Sequence, residues 1–371
     1  MKKTALFVAL LTLIIACSSD GSDGTGSNDN FDRTALLTNW ADNIIIPGYE
    51  DYQSKVDVLQ TAAADFNTNP TEPNLQALRI SWLAAYKSYQ KVTAFYIGKA
   101  MDINLKEATN TYPADAAGIE ANIASGTYNL NLFSQFSRQG FPTLDYLING
   151  LGTTDAEIVG FYASHANAAN YRQYLTDVTN KLKTNIDLVV NDWNGTYRTT
   201  YIAGTGTAVS SSVNKTTNLF VKNLEKDIRT GKIGIPAGLF SGGTTFPDKV
   251  EGYYKNDISK ELFNISIQAA QDFFNGKDFN STATGPSLKS YLDHINAVRN
   301  GQNLSEIINN QFATIYTTNA TLNDSFSQQI NTDNPKMIAA YNTLQQNVIY
   351  VKLDMMQALN IPIDYVDGDG D

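Results

Sequence analysis

Apolar residues recur along most of the chain at alternating spacings of three and four, the period of a helix that buries one face. Trp82 and Leu344 lie on two of these stripes. The stripes cover residues 75–96, 175–193, 213–228, 258–273 and 337–358. We find no run with the alternating pattern of a β-strand and hairpin turns. The sequence therefore predicts an all-α protein made of long amphipathic helices.

Two stretches rich in small and turn-forming residues interrupt this pattern, at residues 195–212 and 231–247. Long irregular connections in a helical protein are usually functional or mark a domain border. We place a boundary near residue 205. The prediction is two helical-bundle domains packed together, with bounds of 33–205 and 206–363, followed by an acidic tail at 364–371.

The start of the chain resembles the signal peptide of a bacterial lipoprotein. Lys2 and Lys3 precede an apolar run that is too short to span a bilayer as a stable helix. The segment IIAC is similar to a lipobox and ends at Cys17, the single cysteine of the chain. We expect residues 1–16 to be the signal peptide and Cys17 to be lipidated. The alternative is a secretory signal peptide with an incidental cysteine.

Residues 17–32 contain no apolar side chain before Phe31. Such a segment buries too little surface to order itself, so we expect a flexible tether between membrane and domain. Its acidic residues resemble the surface-export signals of Bacteroidetes lipoproteins. The expected location is the cell envelope, anchored by lipid at the outer membrane, with the periplasmic and the surface-exposed face both left open.

The net charge and the absence of known catalytic motifs reduce the number of candidate functions. The chain has 27 Lys and Arg against 37 Asp and Glu, a net charge of −10, and no basic cluster, which argues against a nucleic-acid partner. It has two histidines and lacks the H-E-x-x-H, G-x-S-x-G and Walker motifs. We therefore favour a binding protein over an enzyme, while catalytic activity stays an open question.

Four segments together resemble the imelysin-like family, and they cover nearly all of the chain after the tether. They are NLQALRISWLAAYKSYQKVTAFYIG, TYPADAAGIEANI, RQGFPTLDYLING and FPDKVEGYYKNDISKEL. The ending IPIDYVDGDGD is similar to that of Bacteroidetes lipoproteins of this group. The resemblance implies two helical bundles, an envelope location and a role in iron or haem acquisition beside an outer-membrane receptor or transporter. It also implies that peptidase activity is an alternative.

The segment RQGFPTLDYLING is similar to the family's G-x-H-x-x-E motif, in which a histidine and a glutamate one helical turn apart can bind a metal together. Gly140 keeps the glycine, Pro142 stands at the histidine position and Asp145 at the glutamate position. Proline offers no side-chain donor, so Asp145 remains as the one weak metal candidate. Whether the chain binds iron, haem or another cofactor stays open.

The resemblance and the polar segments give a set of candidate ligand-binding residues. They are Tyr86, Tyr112, Asp115, Arg138, Gly140, Pro142, Asp145 and Glu251. Structural roles compete with binding, since Asp145 and Glu251 can complement helix N-termini and Asp115 can cap a helix. We expect the set to meet where the two bundles join, because clefts between helical units favour ligand sites.

The favoured hypothesis is an envelope-anchored accessory protein that binds a ligand in iron or haem acquisition. One alternative is a metallopeptidase of the imelysin type, which metal-dependent proteolysis would support. The other is a structural or interaction module at the outer membrane, which a stable protein partner without any small ligand would support.

Overall fold

The computed structural model describes residues 29–365. The predicted signal peptide, Cys17 and the tether up to residue 28 lie outside the described residues, as does the predicted tail from residue 366. Within the described range no helix is both long and apolar enough to cross a membrane.

The described chain is helical almost throughout. Its α-helices are α1 Arg33–Asn39, α2 Ile46–Thr68, α3 Glu72–Gln90, α4 Lys99–Asp102, α5 Leu105–Asn110, α6 Ala116–Ser125, α7 Gly140–Asp145, α8 Asp155–Ala163, α9 Ala168–Asp192, α10 Arg198–Ala203, α11 Ser212–Lys222, α12 Ser259–Asn275, α13 Leu288–His294, α14 Leu304–Ala320, α15 Phe326–Ile349 and α16 Met356–Ala358. The π-helical segments are Trp40–Ile45, Tyr146–Gly150, Trp193–Tyr197, Asn223–Gly234 and Tyr350–Met355, and Phe133–Arg138 is a 3-10 helix. The predicted all-α class is confirmed.

One small hairpin departs from the prediction that no strands are present. Strands β1 (Val298–Arg299) and β2 (Gln302–Asn303) pair antiparallel. Asn300 and Gly301 between them both have positive φ, at 52° and 78°. An Asn-Gly pair is the preferred loop for such a tight turn. The Asn-Gly pair therefore marked the turn in the sequence. Strands of two residues each are too short to show an alternation of apolar and polar residues.

The first half of the chain packs around α2, α3 and α9, with α7 and α8 against them. On α3 the predicted stripe is buried, including Leu75, Trp82 and Tyr89. Thr71 caps this helix by accepting from the backbone N–H of Asn74 at 3.4 Å. The helix ends at Gln90, earlier than the stripe implied, and the chain continues in turns.

The second half packs around α12, α14, α15 and the π-helical segment Asn223–Gly234. Leu344 on α15 is buried, as predicted. The backbone breaks at Asp333 within α15 (φ −156°, ψ 68°), two residues before Pro335. Trp40, which precedes α2, lies with its ring 5.0 Å from that of Phe273 on α12. Early residues thus also pack on the second half, and the boundary near residue 205 stays a prediction.

Candidate functional site

The segment that resembles the family motif forms α7, all of whose residues are buried. Gly140 begins the helix with φ of 78°, and a Cβ at this position would lie 2.2 Å from the carbonyl oxygen of Thr109. Pro142 lies in the first turn, where a helix needs no N–H donor. Local backbone geometry therefore explains the glycine and the proline at these two positions. Asp145 is the last residue of the helix.

Asp145 is 1% exposed, yet its carboxylate accepts three hydrogen bonds. Oδ2 accepts from the backbone N–H of Tyr254 at 2.9 Å, and Oδ1 accepts from the backbone N–H of Lys255 at 2.9 Å and from Asn149 Nδ2 at 3.0 Å. Burial raises the pKa of Asp145 to about 7, against the lowering effect of these donors. Asp145 therefore ties α7 to the segment 248–257.

Glu251 is the second buried acid, and its partners come from three other parts of the chain. Oε1 accepts from Gln90 Nε2 at 2.8 Å and from Asn110 Nδ2 at 2.6 Å. Lys232 Nζ forms a salt bridge with Oε2 and also donates to Gln90 Oε1 at 2.8 Å. The charge of Glu251 is therefore compensated inside the protein, by a lysine that the sequence did not single out.

The two candidate tyrosines differ in access. Tyr86 is fully buried, donates to Asn110 Oδ1 at 2.6 Å and stacks on Phe141 with ring centroids 4.6 Å apart. Burial, with the nearby charge of Glu251, raises the pKa of both Tyr86 and Tyr112 well above the usual value. Both phenols are therefore neutral hydrogen-bond donors at neutral pH, and Tyr112 is the partly exposed one.

Arg138 and Asp115 pair with each other at the surface. Arg138 Nε lies 2.8 Å from Asp115 Oδ2, and both side chains are about one-third exposed. Asp115 caps α6 by accepting from the backbone N–H of Gly118 at 2.9 Å. That hydrogen bond, together with Arg138, lowers the pKa of Asp115. The structure thus gives Asp115 a capping role, with Arg138 as its partner. Neither residue lines the pocket that lies beside Asp145.

A pocket of about 310 Å³ lies beside Asp145. Three predicted residues line it, namely Tyr112, Pro142 and Asp145. Its other lining residues are Pro113, Ala114, Asp248, Val250, Gly252, Tyr253 and Tyr254. Asp248 and the two tyrosines belong to the segment FPDKVEGYY, from which only Glu251 had been selected.

Tyr112 also lines a smaller cavity of about 110 Å³ on another side. There it meets Asn110 and Lys232, two of the partners of Glu251. Tyr112 therefore lines both the pocket beside Asp145 and the smaller cavity. Lys106 and Asp227, which form a salt bridge, also line the smaller cavity.

The side chains that line the pocket include no His or Cys that could bind a metal ion. Within residues 29–365 no three His, Cys, Asp or Glu side chains are placed to hold a metal. Both oxygens of Asp145 accept hydrogen bonds from N–H groups. Pro142, three positions earlier, has no side-chain atom that could bind a metal.

The fold and the site define an almost entirely helical protein of several bundles with a polar pocket beside a buried carboxylate. The model of the imelysin family (peptidase M75) matches residues 45–351. The chain belongs to this family, as the resemblance of its four segments predicted.

Individual relatives agree with this assignment. The chain is 23% identical over 294 residues to iron-regulated protein A of Synechococcus elongatus, which covers 76% of this chain and 74% of that protein. Two crystal structures, each 17% identical with a TM-score of 0.70, share the fold. An imelysin-like protein of Psychrobacter arcticum matches 90% of this chain and 97% of its own. A putative iron-regulated protein A precursor of Parabacteroides distasonis matches 87% and 95%.

Proposed function

We propose that this protein is a lipid-anchored accessory protein of iron or haem acquisition that binds a small polar or iron-containing molecule beside Asp145. The observation that carries the proposal is the pocket itself. Residues of three family-like segments, Tyr112, Pro142 and Tyr254, meet there around one buried carboxylate.

The lining chemistry defines the kind of ligand. Tyr112 supplies a phenol that stays protonated at neutral pH, and Asp248 supplies an exposed carboxylate. A suitable ligand therefore offers both hydrogen-bond acceptors and donors, and a flat part to lie against the tyrosine rings. The volume of about 310 Å³ is at the lower end for small-molecule sites, which are roughly 300–1,000 Å³.

Iron enters this proposal as cargo. The names of the Synechococcus and Parabacteroides relatives describe iron-regulated proteins. Because no three His, Cys, Asp or Glu side chains among the described residues are placed to hold a metal, we infer recognition of the organic part of an iron complex. Binding of the bare ion by protein side chains would contradict this version of the proposal.

Calorimetry on the full-length protein tests the ligand class, with ferric chloride, ferric citrate and haemin as probes. We expect one of the two complexes to bind with 1:1 stoichiometry and ferric chloride to bind weakly or not at all. Tyr112→Phe and Asp248→Asn should each weaken binding by about tenfold, or 1.4 kcal/mol. Asp324→Asn, at an exposed carboxylate on the second half, is the matched control.

Failure of all three probes to bind would overturn the iron-related role. Peptide hydrolysis that depends on added zinc would instead support the metallopeptidase alternative. The same preparations serve for both measurements, so the two outcomes are directly comparable.

Anchoring is tested separately. Mass spectrometry of detergent-extracted protein should find a diacylated Cys17 at the N-terminus, and Cys17→Ala should release the protein from the outer-membrane fraction. Crosslinking in intact cells should then capture a receptor or transporter with the wild type more efficiently than with Cys17→Ala. An unmodified residue 17 in membrane-extracted protein would contradict the anchor.

A further inference from the structure

A further cavity, of about 280 Å³, shares no lining residue with the pocket at Asp145 or with the smaller cavity beside Tyr112. It is enclosed by the π-helical segment Trp40–Ile45, the region after α3, one face of α12 and the loop 277–281. We call it the α12 cavity. Its apolar floor consists of Ile44, Phe95, Ile265, Ala269 and Phe273.

This floor is accessible in a way that the sequence pattern did not predict. Ile265 and Ala269 lie on the predicted apolar stripe of α12, but both remain partly exposed. They face the cavity, whereas Leu262 on the same helix is buried and does not line it. The rings of Phe95 and Phe273, which also line the cavity, lie 5.4 Å apart at 58° and are almost fully buried.

The rim carries two lysines and two aspartates, and only one pair is compensated. Lys277 Nζ lies 3.3 Å from Asp272 Oδ2. Lys91 Nζ instead donates to the amide oxygen of Asn280 at 3.2 Å and lies 5.0 Å from the ring centroid of Phe279. Lys91 has no carboxylate within salt-bridge distance among the described residues.

Asp278 is the uncompensated acid of the rim. It has no salt-bridge partner among the described residues, and its Oδ1 is shielded from water without a hydrogen-bond donor. A shielded charged oxygen without a donor costs free energy, so a cation placed close to this carboxylate would stabilise it. The α12 cavity thus combines one available cation, one available anion and an apolar floor.

The loop that carries Asp278 is held in place by backbone hydrogen bonds. The N–H of Phe279 donates to the carbonyl of Asn43 at 2.7 Å, and the N–H of Asp278 donates to the carbonyl of Ala283 at 3.0 Å. Asp278 in turn accepts from the N–H of Ser281 through its own carbonyl at 3.1 Å. The backbone that carries Asp278 is therefore held in place before any ligand arrives, which lowers the entropic cost of binding.

We propose that the α12 cavity binds a small zwitterion with an apolar side chain, of the amino-acid type. The ligand carboxylate pairs with Lys91, its ammonium group donates to Asp278, and its side chain lies on Phe95, Phe273 and Ile265. The volume falls just below the range of drug-sized sites, roughly 300–1,000 Å³, and so suits a ligand of this size. This proposal is independent of the iron-related function.

Calorimetry with the full-length protein tests the charge requirement with matched probes. L-Phenylalanine carries both charges, 3-phenylpropanoate lacks the ammonium group and 2-phenylethylamine lacks the carboxylate. L-Leucine tests whether the floor requires an aromatic ring. We expect both amino acids to bind with 1:1 stoichiometry, and each half-ligand to bind at least about tenfold more weakly than L-phenylalanine.

Variants locate the site. Lys91→Met and Asp278→Asn should each weaken binding of L-phenylalanine by about tenfold or more. Lys336→Met and Asp324→Asn make the same charge changes at exposed positions that do not line the cavity, and they should leave the affinity unchanged. Thermal unfolding followed by circular dichroism confirms that each variant is folded. Lys91 lies at the rim, so its variant stays informative even if Asp278→Asn loses stability.

Two results would overturn the proposal. One is the absence of binding for both amino acids at millimolar concentration. The other is an affinity for L-phenylalanine that 3-phenylpropanoate or 2-phenylethylamine equals, or that Lys91→Met and Asp278→Asn leave unchanged.

Discussion

The carboxylate of Asp145 on α7 accepts a hydrogen bond at 2.9 Å from the backbone N–H of Lys255, 110 residues further along the chain. The neighbouring N–H of Tyr254 donates to the other oxygen of the same group. The acid at the family's glutamate position is thus a positioning residue here. It fixes the segment that brings Tyr254 to the pocket, and its oxygens are already engaged.

Removing this carboxylate should destabilise the protein. Asp145→Ala leaves two backbone N–H groups without an acceptor, and an unsatisfied buried donor costs about 1–3 kcal/mol. We expect a loss of about 2–3 kcal/mol in urea denaturation at pH 6 and a smaller loss for Asp145→Asn, which keeps one acceptor oxygen. Asp257→Ala, whose side chain is 62% exposed, is the control. Equal stability of wild type and Asp145→Ala would refute this positioning role of Asp145.

The same residue should make stability depend on pH. Its pKa in the folded state is raised to about 7, above the usual value near 4, so the folded state binds the proton more tightly. The stabilising contribution of Asp145 is therefore complete below about pH 4 and is lost as pH rises through about 7. The difference in unfolding free energy between wild type and Asp145→Asn should fall across this window and level off above it.

Taking the difference between wild type and Asp145→Asn cancels the contributions of the other titratable groups, provided that both proteins are measured in the same buffers. The change should not exceed about 4 kcal/mol, the limit set by the two pKa values. A difference that is flat between pH 4 and 8, or that increases, would contradict a raised pKa.

The helices were predictable because each one buries a stripe with its own period. Trp82 and Leu344 are buried as the spacing predicted. The tight hairpin at Asn300 and Gly301 was missed because its strands are two residues long. The early end of α3 was missed as well, since the apolar period continues into turns in which Val92 is still buried.

The site was predictable only where a local motif marked it. Gly140, Pro142 and Asp145 share one helix, so their spacing alone relates them. The partners of Asp145 are backbone N–H groups at Tyr254 and Lys255, and a sequence gives no signal for such donors. Lys232 lies in a stretch that we had interpreted as irregular, and only the fold brings it to Glu251.

The buried pair of Lys232 and Glu251 should behave differently from surface pairs. Breaking a buried salt bridge leaves a charge uncompensated, so Lys232→Met and Glu251→Gln should each cost about 3–5 kcal/mol. The double variant should cost clearly less than the sum, because the two residues act as one unit. The exposed pair of Lys336 and Asp333, at 3.2 Å, is the matched control with an expected coupling below about 1 kcal/mol. Additive losses at Lys232 and Glu251 would count against the pairing.

Truncation of core side chains tests the predicted helix faces. Trp82→Ala should cost about 3–5 kcal/mol and Leu344→Ala about 2–5 kcal/mol in chemical denaturation, because both are fully buried. Ile80→Ala, on the same helix as Trp82 but 71% exposed, should change stability by less than about 0.5 kcal/mol. A loss at Ile80 as large as that at Trp82 would place the wrong face of α3 in the core.

Two glycine substitutions should shift stability in opposite directions. Gly140 has φ of 78° at the start of α7, where a Cβ would lie 2.2 Å from the carbonyl oxygen of Thr109. An L-residue pays about 1–2 kcal/mol for this backbone conformation, and the backbone contact adds to that, so Gly140→Ala should cost about 2–4 kcal/mol. Gly160, inside α8, has no atom within 4 Å of an added Cβ. Gly160→Ala should stabilise the protein by about 0.5–1 kcal/mol, because alanine loses less backbone freedom in a helix. Thermal and urea unfolding of both variants measure the contrast. A tolerated alanine at Gly140 would mean that α7 begins without the positive φ and the close approach to Thr109.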